Sequence, residues 1–329
     1  MRIRAALVIA VLATLVPLCA WPEDPKRSAS VILVMGASGE AEFGSNFVNQ
    51  VTLWGKAAAL GGASISIVGT QTDAPTNDLA RLEERLAAEP KEGLHELWLV
   101  LIGHGTFDGQ EARFNLRGPD LTTENLASWL QPFRRPLAVI DAASCSAPFL
   151  SKLSATNRII LTATRSGHEQ NYTRFGQYLA AAMADPEADL DQDGQVSLLE
   201  AFLTASRQVS EFYRLAGRLA TEHPLLDDNG DRLGTPADWF RGLRAIRKPQ
   251  GKALVDGLLA HQTHLVRSAA EQGLSPEQRA RRDTIERAVL LHREKKGKVP
   301  DDEYYKGLEA ILLELARFYE SFGSNPATR

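Results

Sequence analysis

Apolar residues in this chain gather into short, nearly unbroken runs separated by longer amphipathic stretches. After the amino-terminal segment the runs are Val31-Ile32-Leu33-Val34-Met35, Ile65 to Val68, Leu97-Trp98-Leu99-Val100-Leu101-Ile102, Leu137-Ala138-Val139-Ile140 and Arg158 to Thr164. Each is bounded by glycine or polar residues, the first by Gly36-Ala37-Ser38-Gly39. Such runs predict strands buried on both faces. Between them the period lengthens. Phe47, Val51, Trp54 and Ala58 share one face of a helix predicted over Phe43 to Leu60, which stops at Gly61-Gly62. Further helices are expected over Ala80 to Ala88, Thr122 to Leu130 with Thr122 or Thr123 as cap, and Tyr172 to Ala184. Strands alternating with helices predict an α/β domain over residues 30–248, with a mostly parallel sheet flanked by helices. In such sheets ligands bind beyond the carboxyl ends of the strands.

From residue 249 onward the pattern is helical, and residues 249–329 are expected to form a helical module. Three helices are predicted: Lys252 to Gln272; one opened by Ser275, Pro276 and Gln278 in capping-box spacing; and Pro300 to Phe322. The last carries a stripe of Leu308, Ile311, Leu312, Leu315, Phe318, Tyr319 and Phe322. Arg279, Arg281, Arg282 and Arg287 of the middle helix are read as a solvated face. The pattern leaves three roles open for this module: completing the core, binding a partner or covering a site.

Arg2 and Arg4 precede an apolar stretch from Ala5 to Leu18. That is signal-peptide length and short for a membrane span, so residues 1–20 are expected to be removed after Ala20. Residues 21–29 then form a linker. The expectation is an exported chain, periplasmic or extracellular, with no transmembrane span after processing; an uncleaved anchor is the alternative. Of two cysteines in the sequence, Cys19 leaves with the signal and Cys145 remains. A lone thiol in an oxidising compartment has no internal disulfide partner. With 44% hydrophobic and 24% charged residues the class is globular. A net charge of −4 gives no footprint for nucleic acid.

Two strand ends carry candidate chemistry. Ile102 leads into Gly103-His104-Gly105, and Ile140 into Asp141-Ala142-Ala143-Ser144-Cys145. A histidine beside a cysteine lowers the thiol pKa from about 8.5 and populates the thiolate nucleophile. His104 is the candidate general base and Cys145 the nucleophile. The amides of Gly105 and Cys145 are candidate oxyanion donors. Glycine at position 105 would let substrate approach the backbone.

This order of motifs resembles the caspase–legumain superfamily of cysteine peptidases, which carry His-Gly after one apolar strand and a cysteine after the next. The resemblance covers about residues 31–239. It implies a caspase-like fold of the legumain type, and a protein or peptide substrate hydrolysed through an acyl-enzyme. It also implies a substrate pocket in the segment after Thr162-Ala163-Thr164-Arg165, with Glu169 in the acidic position and Arg165 beside it. Counted from Ile140, the family's cysteine slot falls at either Ala143 or Cys145. Gly36 to Asn46 lacks the arginine of legumain-type pockets.

Asp189-Leu190-Asp191-Gln192-Asp193-Gly194-Gln195-Val196-Ser197-Leu198-Leu199-Glu200 fits the twelve-residue EF-hand loop. Asp189, Asp191, Asp193, the carbonyl of Gln195 and Glu200 are the expected ligands of a Ca2+ ion that braces the fold. An acidic turn capping the next helix is the simpler alternative. His261 and His264, three apart, lack an evident third ligand and are read as structural.

The leading expectation is an exported cysteine endopeptidase. The alternative is a catalytically degenerate relative acting as an interaction module in the cell envelope. A hydrolase using Ser144 is a third reading. The register of Cys145 against His104 separates the first two.

Overall fold

The computed structural model describes residues 29–70, 77–247 and 254–323. The expected signal segment, most of the linker and the expected boundary at 248/249 lie outside the described residues.

Five parallel strands form the centre of the molecule: β1 (Ser30–Met35), β2 (Ser64–Val68), β3 (Leu97–Ile102), β7 (Leu137–Asp141) and β8 (Arg158–Thr162). With β9 (Leu225–Asp227) and β10 (Thr235–Pro236) at one edge, the sheet has seven strands in the order β10-β9-β8-β7-β3-β1-β2. Every residue of β3 is fully buried, as its unbroken apolar run requires. Its side chains alternate between two cores. Trp98, Val100 and Ile102 face the core with Phe47, Trp54, Phe175 and Phe202, from α1 (Ala41–Leu60), α5 (Phe175–Ala182) and α6 (Leu198–Leu215). Leu97, Leu99 and Leu101 face the core with Leu82, Leu126 and Phe149, from α2 (Asp78–Ala88), α3 (Thr123–Leu130) and α4 (Ala147–Leu153). The expected mostly parallel α/β sheet flanked by helices is what the chain forms.

Several elements differ from expectation. A small antiparallel sheet of β4 (Gly105–Phe107), β5 (Ala112–Phe114) and β6 (Leu121–Thr122) follows His104 directly. Strands β9 (Leu225–Asp227), antiparallel to β8, and β10 (Thr235–Pro236), antiparallel to β9, extend the main sheet. A two-stranded hairpin of β11 (Phe240–Arg241) and β12 (Arg244–Ala245) follows. The expected start of α5 at Tyr172 moves to Phe175. There the buried Glu222 carboxylate accepts from the Arg174 and Phe175 amides at 2.8–3.0 Å, fixing the helix start.

The helix expected from Lys252 to Gln272 is broken. The described part holds two single turns, α7 (Leu258–His261) and α8 (Ala269–Gln272). Between them the carbonyl of Thr263 accepts from the Leu198 amide at 2.9 Å. The Leu265 carbonyl lies 1.9 Å from where a Cβ on Gly61 would sit, so glycine is required there. Docking on the sheet domain thus takes the backbone groups a helix would use. The expected helical hairpin forms from α9 (Pro276–Arg293) and α10 (Asp301–Gly323). Arg282 does not belong to a solvated face. It is 7% exposed and ion-paired to Glu271 and Asp283. Among the described residues no helix is long and apolar enough to cross a membrane.

The C-terminal module docks at the amino ends of the strands. Arg267 pairs with Glu96, just before β3, and the Ser268 amide donates to Gln195 at 3.1 Å. His104 lies at the opposite end. Of the three roles left open for this module, the described helices do not take that of covering the His104 end.

Candidate active site

The two strand ends are adjacent, as expected: Leu101 of β3 is in register with Asp141 of β7. Beyond them the loops touch through Ser144. Its hydroxyl accepts from the Gly105 amide and donates to the Gly105 carbonyl, both at 3.1 Å. A Cβ on Gly105 would lie 2.2 Å from the Ser144 carbonyl oxygen. Glycine there admits the neighbouring loop rather than a substrate. The Asn115 amide also donates to the His104 carbonyl at 2.9 Å, tying this turn to the small sheet.

The His104 ring faces aromatic groups. Its centroid is 4.8 Å from Phe43 and 5.2 Å from Phe47, both on α1, and 6.1 Å from Tyr172. Burial lowers its pKa, opposed by a hydrogen bond to the Ser38 backbone. The ring is therefore neutral near pH 7.

Cys145 is 1% exposed and sits at φ +57°. Its loop is fixed at several points. The Cys145 amide donates to the Glu169 carbonyl at 2.9 Å, the Ser146 hydroxyl accepts from the Ala163 and Thr164 amides, and the Thr173 hydroxyl donates to the Ala142 carbonyl. Such surroundings hold a left-handed non-glycine residue that would otherwise relax. Burial pushes the thiol up to about 11, the Asp141 charge adds to this, and a Ser144 hydrogen bond opposes it. That direction is opposite to the activation expected from a histidine partner. No hydrogen bond joins the thiol to His104. Asp141 does not orient His104 either. Its Oδ1 accepts from the Ala143 amide at 3.1 Å, its Oδ2 has no partner, and burial pushes its pKa up to about 7.

Both expected oxyanion donors are thus engaged inside the chain, Gly105 by Ser144 and Cys145 by Glu169. Ser144 is no better placed as a nucleophile, because its hydroxyl is bonded to Gly105 and not to an imidazole.

Glu169 and Arg165 do come together. The Arg165 amide donates to Glu169 Oε2 at 3.1 Å, and its Nε lies 3.4 Å from Oε1. His223 completes the group, with Nδ1 2.6 Å from Glu169 Oε1. It lies 54 residues away, so no local spacing marked it.

The acidic loop lies at the other end of the sheet. Ligand oxygens of Asp189, Asp191 and Asp193 lie within 4.8 Å of one another. Asp189 accepts from the Asp193 and Gly194 amides, closing the sharp turn. The Gln195 side-chain oxygen accepts from Ser268. Glu200 accepts from the Leu190 and Asp191 amides with Oε1 and from Ser197 with Oε2, so its carboxylate caps α6 and braces the loop. A single 3₁₀ turn, Pro186–Ala188, precedes the loop in place of an entering helix. His261 Nε2 stands 3.8 Å from Asp191. His264 is buried, and burial pushes its pKa down to about 3, consistent with a structural role.

Solved structures with a similar chain path include protein GSU0716 from Geobacter sulfurreducens, at 10% identity and a TM-score of 0.40 over 60% of this chain and 92% of that one. The Drosophila initiator caspase Dronc matches at 14% and 0.40 over 60% and 79% of the two chains. Caspase-1 from Spodoptera frugiperda matches at 11% and 0.39 over 61% and 86%. At these scores nothing about activity, substrate or partner follows. No family model matches the chain, and no curated protein does.

Proposed function

We propose that this chain is a non-catalytic interaction module of the cell envelope, built on a peptidase-type α/β scaffold and reached by export. The observation that carries this reading is the state of the Cys145 loop. Its amide and that of Gly105 are already donated, its thiol is buried with a pKa near 11, and His104 is packed against Phe43, Phe47 and Tyr172. An acyl-transfer site needs a thiolate and free donors where the oxyanion forms. The resemblance to caspase–legumain peptidases then lies in the scaffold, with Ala143 in the cysteine slot. The basic and apolar pattern of residues 1–20 supports export. The test is turnover of a broad peptide library by the exported form. No cleavage is expected, and cleavage abolished by Cys145→Ala would restore the endopeptidase reading.

We infer also that the loop at 189–200 holds a structural Ca2+ through Asp189, Asp191, Asp193 and the Gln195 carbonyl. The convergence of three carboxylates supports it, because a hard divalent cation removes their mutual repulsion. Glu200 enters this account as the brace that holds the loop to α6.

A further inference from the structure

A cleft of about 820 Å³ runs along α6 and reaches Arg165 and His223, the partners of Glu169. That volume suits a small organic ligand. Its walls include Leu203, Val209 and Trp239, which favour an apolar body. Two lining residues have unusual polar groups. Thr204 is 5% exposed and Ser206 6%, and neither hydroxyl has a hydrogen-bond partner. Buried hydroxyls without partners are costly, and both oxygens lie behind the cleft wall, out of reach of solvent.

Arg207 lines the cleft and makes no hydrogen bond or close ion pair among the described residues. Arg165 is 62% exposed, with its Nε 3.4 Å from Glu169. Of the acidic lining residues, Glu222 is turned inward, accepting from the Arg174 and Phe175 amides and the Tyr213 hydroxyl. Asp238 is the remaining anion. Arg207, whose charge also acts on Glu211 one turn along α6, and Asp238 are therefore the two lining charges without a close partner, and Arg207 is the one a carboxylate can pair with.

We propose that this cleft is a binding site for a small amphipathic carboxylate, its apolar body against Leu203, Val209 and Trp239 and its carboxylate on Arg207. This goes beyond the reading of the Cys145 loop and does not depend on it. A lipid-derived acid and the carboxyl terminus of an apolar peptide share this chemistry.

The experiment is calorimetric titration of the full chain with decanoate, below its micelle concentration, and in parallel with N-acetyl-leucyl-leucine. Decyltrimethylammonium is the charge-reversed control. Saturable binding of at least one carboxylate is expected, and which one binds separates the two sources. Arg207→Gln should weaken it about tenfold or more, the loss of one charge-assisted contact. Ser210→Trp, at an exposed position on the cleft, should block it. Neither carboxylate binding, equal binding of the cation, or unchanged affinity in Arg207→Gln would overturn the proposal. Arg207 is exposed on α6, so its variant tests the claim even where the tryptophan variant folds poorly.

Discussion

At position 105 the absence of a side chain decides how the two strand ends meet. A methyl group on Gly105 would lie 2.2 Å from the Ser144 carbonyl oxygen, a separation the backbone must open to relieve. Gly105→Ala is expected to destabilise the fold by about 1–3 kcal/mol, the usual cost of overpacking. Urea unfolding measures it, and an unchanged midpoint would mean the loops separate freely. The same contact shows what a sequence reading can and cannot deliver. His104 and Cys145 were visible as strand-end residues because apolar runs precede them. Their relative orientation was not, because it depends on Ser144 bonding to Gly105 across 39 residues and on Cys145 adopting φ +57°. His223 was illegible for the same reason: its partner Glu169 is set by tertiary packing, not by spacing.

Among elements, the helices differ in how their ends are held. Helix α6 carries its own cap, a reciprocal Ser197 and Glu200 box. Helix α5 borrows its cap from Glu222, so its start was misread. Glu222→Ala should leave the amides of Arg174 and Phe175 unpaired and cost about 1–3 kcal/mol. A thermal melt with no shift would show that water replaces the carboxylate. The loop before α6 makes a separate prediction. Adding Ca2+ should raise the melting temperature, chelation should reverse it, and Asp191→Asn with Asp193→Asn should abolish the response. A melting temperature indifferent to calcium would contradict the metal assignment. The break between α7 and α8 comes from docking on Leu198 and Gly61, and the sequence marks it with Ser268, the cap of α8, three residues before Glu271.

Across the whole molecule, buried carboxyls join the C-terminal module to the sheet. Asp228 accepts from the Gly257 and Ala260 amides, and Asp256 accepts from the Asp228 and Asn229 amides and the Thr235 hydroxyl. Burial, with the Asp228 charge, pushes Asp256 up to about 8, and burial pushes Asp141 up to about 7. The unfolded chain releases these protons near pH 4, so the folded state holds more protons in between. Their stabilising contribution is complete below about pH 4 and is lost as pH rises towards 8. His264 acts in the opposite sense, its contribution complete above about pH 6.5 and lost as pH falls towards its folded value of about 3. Above about pH 6.5 the His264 contribution is constant and only the carboxyl contribution still changes, so stability should fall between there and pH 8. Asp256→Asn should flatten that fall in urea titrations at stepped pH. An equally steep fall in the variant would place the proton elsewhere. The α/β layout was legible because its strands are continuous apolar runs, whereas β9 and β10, at three and two residues, carry no such run.

The central claim is that Cys145 is not an activated nucleophile. The most direct measurement is the rate of iodoacetamide alkylation of this thiol against pH, in the wild-type protein and in His104→Ala. Slow alkylation that rises only towards pH 11 is expected, with the same profile in the variant. Rapid alkylation with an apparent pKa well below about 8.5, lost when His104 is removed, would contradict it and establish a catalytic pair.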